Sequence, residues 1–158
     1  MPPRAARDSS EGDGTMPDKW DDRFLALAEH VGGWSKDPST RVGACIVRPD
    51  RTVASMGFNG LPRGVQDTED RLHARDTKLA MTIHAELNAI LSSHVPVRGY
   101  TIYCTMPCCD RCAAHIIQAG LVRVVARRPT ARMLDRWAES FQTADEMLLE
   151  AGVRVDWT

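Results

Sequence analysis

His84-Ala85-Glu86 and, further along, Pro107-Cys108-Cys109-Asp110-Arg111-Cys112 are the two stretches that decide how this chain is organised. Zinc prefers imidazole and thiolate ligands in a tetrahedral arrangement, and a catalytic zinc keeps one position open for water. His84, Cys109 and Cys112 can supply three ligands. Glu86 then remains free to take a proton from water and return it to a leaving group. The two stretches therefore predict a catalytic zinc site with a proton carrier beside it.

The cysteine spacing indicates which sulfurs bind the metal. Cys109 and Cys112 are three positions apart at a predicted helix start, so one helical turn presents both sulfurs on one side. Cys108 with Cys112 is the less favoured pairing. A lone C-x-x-C also occurs in redox sites and structural zinc sites. A structural site would need a fourth protein ligand, for which the candidates are Cys104, His94 and His115.

Composition limits the class of protein. The chain has 158 residues, 43% hydrophobic and 26% charged, with a formal net charge of −1. Residues 1–17 have the composition of a disordered tail, and residues 18–158 suit a single domain. The near-neutral charge does not favour nucleic acid as a partner. There is neither an apolar run of membrane-spanning length nor an apolar secretory segment, so we expect a cytoplasmic protein.

The first half of the domain predicts a helix followed by a hairpin. Asp21 or Asp22 could cap a helix that ends at Gly32-Gly33. Val42–Val47 and Thr52–Phe58 then read as two strands joined by a tight turn. Residues 66–78 are polar and their pattern assigns no element. A further helix begins near Thr82 or His84, with an inward face formed by Leu87, Ile90 and Leu91.

In the second half, strands alternate with helices. The predicted order is a strand over 100–104, a helix over 109–119, a strand over 121–126, a helix over 132–151 and a strand over 153–157. The expected core contacts of the long helix are Leu134, Trp137, Phe141, Met147 and Leu148. A crossover of this length joins parallel strands, so the last two strands should be parallel. This order predicts an α/β fold, in which ligands bind at the carboxyl ends of the strands.

Beyond the metal motif, several segments resemble deoxycytidylate deaminases. H-x-E with a later P-C-x-x-C is the general signature of zinc deaminases, although here Cys108 stands in the proline position. The segments that narrow the resemblance are Ser35–Pro38, Val42–Val47, Gly57–Pro62, His84–Ile90 and Ile116–Gly120. The resemblance implies a three-layer α/β/α cytidine deaminase-like fold with a five-stranded mixed sheet. It also implies one catalytic Zn²⁺ and hydrolysis of dCMP to dUMP and ammonia.

The resemblance extends to residue roles and to partners. It makes His84, Cys109 and Cys112 the zinc ligands and Glu86 the proton carrier, and it gives Asn59 a hydrogen bond to the nucleotide. A turn residue with positive φ is the other interpretation of Asn59. Arg63, Arg127 and Arg128 are candidate phosphate contacts because they lie next to strand ends. The resemblance further implies a homo-oligomer, often a hexamer, with dCTP and dTTP as effectors.

Two alternatives to a dCMP deaminase remain open from the sequence. One is a deaminase of the same fold that acts on a free base, a nucleoside or transfer RNA. The other is a non-catalytic, zinc-stabilised binding protein, which the presence of Glu86 disfavours. The chain also departs from the family pattern after the fourth strand, where Ala126–Thr130 replaces an expected aromatic segment. This departure bears on two expectations from the resemblance, namely which residues contact the phosphate and whether effectors control the enzyme.

Overall fold

The computed structural model describes residues 18–158, so the predicted disordered tail lies outside the described residues. Within them, no helix has the length and apolar character needed to cross a membrane. The elements in chain order are α1 Lys19–Gly32, β1 Gly43–Val47, β2 Val53–Phe58, α2 Glu69–His73, α3 Arg75–Met81, α4 Ala85–Leu91, β3 Thr101–Cys104, α5 Asp110–Gln118, β4 Arg123–Ala126, α6 Ala131–Glu150 and β5 Arg154–Trp157.

The five strands form one mixed sheet in the order β2-β1-β3-β4-β5. β1 pairs antiparallel with both β2 and β3, whereas β3, β4 and β5 run parallel. The opening hairpin and the parallel last pair were predicted, and both are confirmed. Helical crossovers through α5 and α6 produce the parallel half, because a tight turn can only reverse the chain.

Helices cover both faces of the sheet, which gives the predicted α/β/α layers. In β1, Cys45 and Val47 face α1, while Ala44 and Ile46 face the layer of α4, α5 and α6. All four side chains are buried, as expected for a central strand that is covered on both faces. This strand and β3 next to it therefore anchor the two helical layers.

The cap of α1 differs from the prediction. Asp18, not Asp21 or Asp22, is the N-cap, and its carboxylate accepts from the backbone N–H of Trp20. Asp21 is instead buried, where it accepts hydrogen bonds from the Tyr103 hydroxyl at 2.9 Å and from Arg123 at 2.7 Å. The Asp21 carboxylate, which the local pattern predicted as a helix cap, therefore makes polar contacts with residues distant in the sequence.

Two predicted helix faces are also wrong in part. The face of α4 that is fully buried consists of Ala85, Glu86 and Ala89, whereas Leu91 is 66% exposed. Small residues face the sheet because α4 packs closely against β2. In α6, Phe141 and Leu148 are buried as expected, but Leu134 and Trp137 are 44% and 40% exposed. The first half of α6 borders cavities instead of core, which an apolar pattern alone does not reveal.

Candidate active site

Two helix starts bring the metal-type ligands together. His84 is the N-cap residue of α4, and Cys109 is the N-cap residue of α5. The Cys109 sulfur accepts from the backbone N–H of Cys112, which lies in the first turn. Unpaired N–H groups and the helix dipole favour negative charge at such positions. The local structure therefore presents one imidazole and two sulfurs to a common point.

The separations within this group fit a zinc ion. His84 Nδ1 lies 3.5 Å from Cys109 Sγ and 3.4 Å from Cys112 Sγ. Tetrahedral zinc with its usual Zn–N and Zn–S bond lengths holds nitrogen and sulfur ligands about 3.5 Å apart. The donor types and their separations fit a site for one zinc ion.

The neighbouring candidates do not join this group. Cys108 is 6% exposed and packs in the larger core cluster. Among the described residues, the group of metal-type ligands consists of His84, Cys109 and Cys112 alone. Cys104, His94 and His115, the candidates for a fourth ligand, lie outside this group in the part of the chain that the structure describes.

The electrostatics of the three ligands reflect their proximity. A hydrogen bond from the Cys112 thiol, with a further one from His84, lowers the pKa of Cys109 despite burial. The same contact with Cys109, together with burial, raises the pKa of Cys112. The hydrogen bond to Cys109 raises the pKa of His84. Zinc binding requires that both thiols lose their protons.

Glu86 is buried beside the ligands. Its carboxyl group is 3.5 Å from Cys112 Sγ, and the residue is 3% exposed. Burial raises the pKa of Glu86 because the protein interior solvates the carboxylate poorly. A carboxyl group positioned beside a reacting centre can accept a proton and later donate it. The group is thus placed, and electrostatically suited, for proton transfer next to a metal ion.

A cavity of about 180 Å³ opens onto Glu86, His84 and Cys109. Asn59 also lines it, and its side chain is held by two backbone contacts. Its amide oxygen accepts from Val42 N–H at 2.8 Å, and its amide nitrogen donates to Thr40 C=O at 2.9 Å. Asn59 does not have positive φ, so the turn interpretation is wrong. The amide retains one N–H and one lone pair for a ligand in the cavity.

The three candidate phosphate contacts lie elsewhere. Arg63 borders a separate cavity beside Phe58 and Asn88. Arg127 forms an ion pair with Glu29 at 2.7 Å. Arg128 is exposed just after β4, and like the other two it does not line the cavity at Glu86.

Sequence reasoning missed two features of this cavity. The first is an ion pair in which Lys78 Nζ donates to Asp37 at 2.9 Å, with both side chains at or below 10% exposure. Burial would raise the pKa of Asp37, but hydrogen bonds from Lys78 and the loop backbone outweigh it and lower that pKa. The second is an aromatic wall from α6 formed by Trp137 and Phe141. The apolar spacing in α6 was the available signal, but it was assigned to the core.

The chain matches a known family of proteins. The model of the "Cytidine and deoxycytidylate deaminase zinc-binding region" matches residues 18–127, so the chain belongs to that zinc-dependent deaminase family. The match includes both helix starts that carry the ligands. Membership of the family and the three-layer fold confirm the resemblance drawn from the sequence.

Individual relatives narrow the comparison. An uncharacterised deaminase in the luxG 3′ region of Aliivibrio fischeri is 46% identical over 142 residues, which cover 90% of this chain and 95% of the relative. The deoxycytidylate deaminase of Mus musculus is 36% identical, with 83% and 74% covered. A dCMP deaminase from the cyanophage S-TIM5, in complex with dCMP and dUMP, superposes with a TM-score of 0.71. It is 25% identical, with 91% of this chain and 100% of that chain covered.

Proposed function

We propose that this chain is a dCMP deaminase that hydrolyses dCMP to dUMP and ammonia. The observation that carries the proposal is the buried carboxyl group of Glu86 at 3.5 Å from Cys112 Sγ, beside an imidazole and a second sulfur at zinc-ligand spacing. The similarity to deoxycytidylate deaminases, including one in complex with dCMP and dUMP, supports the choice of substrate.

Each site residue then has a role. His84, Cys109 and Cys112 hold one zinc ion, which when bound supplies Lewis-acid activation of water. Glu86 accepts a proton from the attacking water, because its position beside the ligands brings it within reach of the reacting centre. It delivers that proton to the ring nitrogen of cytosine, while the water oxygen bonds to the ring carbon. It then takes the remaining proton from the new hydroxyl group and passes it to the amine, which leaves as ammonia while the ring carbon becomes a carbonyl. Asn59, fixed by its backbone contacts, hydrogen-bonds the nucleotide.

The test is whether the purified protein hydrolyses dCMP. The reaction is measured as a loss of ultraviolet absorbance. Replacing Glu86→Gln removes the proton carrier but keeps the volume of the side chain. We expect turnover to fall by about 10² to 10⁴-fold, with zinc content unchanged. Glu150→Gln, at an exposed position outside the cavity, is the matched control. Substantial activity in the Glu86 variant would contradict the role assigned to this carboxylate.

A panel of substrates separates this proposal from its rivals. Cytidine, cytosine, guanine and an adenosine-containing stem-loop represent the other deaminases of this fold. If the protein prefers any of these compounds, that compound and not dCMP is the substrate. The roles of the zinc ligands and Glu86 in deamination would not change. A zinc-loaded protein that is inactive on the whole panel would instead support a non-catalytic binding module.

The assembly, regulation and location of the protein complete the proposal. We expect a homo-oligomer, often a hexamer in enzymes of this kind, that responds to dCTP and dTTP and is cytoplasmic. Light scattering measures the mass of the particle, and dCMP kinetics with each triphosphate measure the response. A monomer that is insensitive to both nucleotides would contradict the first two expectations.

A further inference from the structure

A second, larger cavity adjoins the cavity at Glu86. It measures about 970 Å³, and the two cavities are lined in common by Thr40, Lys78, Leu79, Met106 and Trp137. The shared lining residues place the two cavities side by side. We call this larger space the basic vestibule, after the four arginines that line it, namely Arg41, Arg75, Arg132 and Arg136.

The amino-terminal part of α6 forms one wall of the vestibule. Arg132 and Arg136 are four positions apart, so they lie on the same side of the helix. Met133 and Trp137 have the same spacing and line the same space. No acidic residue occurs in the first turn of this 20-residue helix, so nothing there offsets the positive end of its dipole. The helix therefore adds to the positive potential of its arginines.

The positive charge of the vestibule is largely uncompensated. The ion pairs between described residues do not involve Arg41, Arg132 or Arg136. Glu29 is the one carboxylate among the described residues that line the space, and it is paired with Arg127. A protein with a formal net charge of −1 thus concentrates cations at the mouth of its reaction cavity. Such clustering attracts an anionic ligand.

We propose that Arg132 and Arg136 bind the 5′-phosphate of a mononucleotide substrate, in a cavity that Arg41 and Arg75 also line. This inference rests on the proposed deaminase function and identifies the part of the site that selects a nucleotide over a nucleoside. Guanidinium groups suit this role because they donate paired hydrogen bonds to phosphate oxygens. It places phosphate recognition on α6, not on Arg63, Arg127 or Arg128.

Binding to a protein that cannot turn over its ligand tests the phosphate site directly. In the Glu86→Gln background, titration calorimetry compares dCMP with deoxycytidine. Replacing Arg132→Gln or Arg136→Gln should weaken dCMP binding about 10- to 100-fold and leave deoxycytidine binding unchanged. Arg98→Gln, which is exposed and outside both cavities, should alter neither. Arg136→Lys should recover part of the loss because it keeps the charge.

The kinetics of the same arginine variants with an intact Glu86 keep the two proposals separable. We expect KM for dCMP to rise in each variant, and to rise with ionic strength in the unmodified protein. Arginine-dependent binding of dCMP without turnover would sustain the phosphate site and refute the dCMP deaminase. If the protein turns over dCMP but the arginine variants show unchanged binding and KM, the dCMP deaminase would be supported and the phosphate site refuted. Equal losses for dCMP and deoxycytidine, or tighter binding of a short oligonucleotide than of dCMP, would overturn the phosphate site.

Discussion

Gly57 controls how closely α4 approaches the sheet, and replacing it tests whether that approach sets the reaction geometry. A methyl group built at Gly57 would lie 2.8 Å from Asn88 C, and it would be closer still to Ala89 N and Ala85 O. Ordinary contact begins at 3.4 Å, and all three atoms belong to the backbone of α4. Because backbone cannot rotate aside as a side chain can, Gly57→Ala must displace the helix by roughly 1 Å.

The displacement has a calculable effect on both stability and activity. Overfilling a packed interface costs about 1–3 kcal/mol of unfolding free energy. α4 begins immediately after His84 and carries Glu86 in its first turn. A misplacement of about 1 Å in a reacting group lowers turnover about 100-fold. We therefore expect Gly57→Ala to lose more activity than its stability loss alone explains.

Urea unfolding, zinc content and dCMP kinetics measure these effects at a temperature where the variant stays folded. Gly60→Ala is the matched control, because its added methyl group would meet no atom within 4 Å. The control should be neutral or slightly stabilised, since alanine restricts the unfolded chain. If Gly57→Ala matched Gly60→Ala in both stability and turnover, close packing of α4 would not be what positions Glu86.

Two further substitutions examine the metal ligands and the polar core. Cys109→Ala should lose bound zinc, whereas Cys108→Ala should retain it at one ion per chain, as measured by atomic emission; the opposite pattern would exchange their roles. Asp21→Asn should lower stability at pH 7 by about 2 kcal/mol, because Arg123 loses one of its two charged acceptors and keeps only Asp156. Burial alone would raise the pKa of Asp21, but hydrogen bonds from Arg123 and Tyr103 outweigh it and lower that pKa. The contribution of Asp21 is therefore fully present above its ordinary pKa of 3.8 and disappears as the pH falls through its folded-state pKa. Urea unfolding at several pH values measures it, and a stability difference that persisted in strong acid would contradict the assignment.

Features governed by local chemistry were predictable from the sequence. Cys109 and Cys112 are separated by about one helical turn, and His84 lies at the start of another helix. The residue types and their spacing were therefore enough to predict the ligand group. The hairpin of β1 and β2 and the parallel β4 and β5 follow from the lengths of their connections. Each inference required few residues, and those residues were close together in the chain.

Features that depend on contacts between distant residues were not predictable in the same way. Lys78 lies in the segment that the sequence pattern left unassigned, yet it is buried, and its ammonium group donates a hydrogen bond to Asp37, 41 positions away in the chain. Trp137 satisfies the apolar spacing of a core helix but lines two cavities. Periodicity identifies which side of a helix is apolar, but it does not distinguish a packed neighbour from a ligand cavity.

The small residues around Glu86 follow from the chemistry that the carboxyl group performs. A proton carrier with a raised pKa must be removed from water, and at 3% exposure Glu86 meets that condition. Glu86 lies on α4, a helix of only seven residues, which has few large side chains to shield it from solvent. The helix must therefore lie close to the strands to bury Glu86. Ala85 and Ala89 on α4 and Gly57 on β2 permit that approach. These small residues therefore let α4 lie close enough to the strands to bury Glu86.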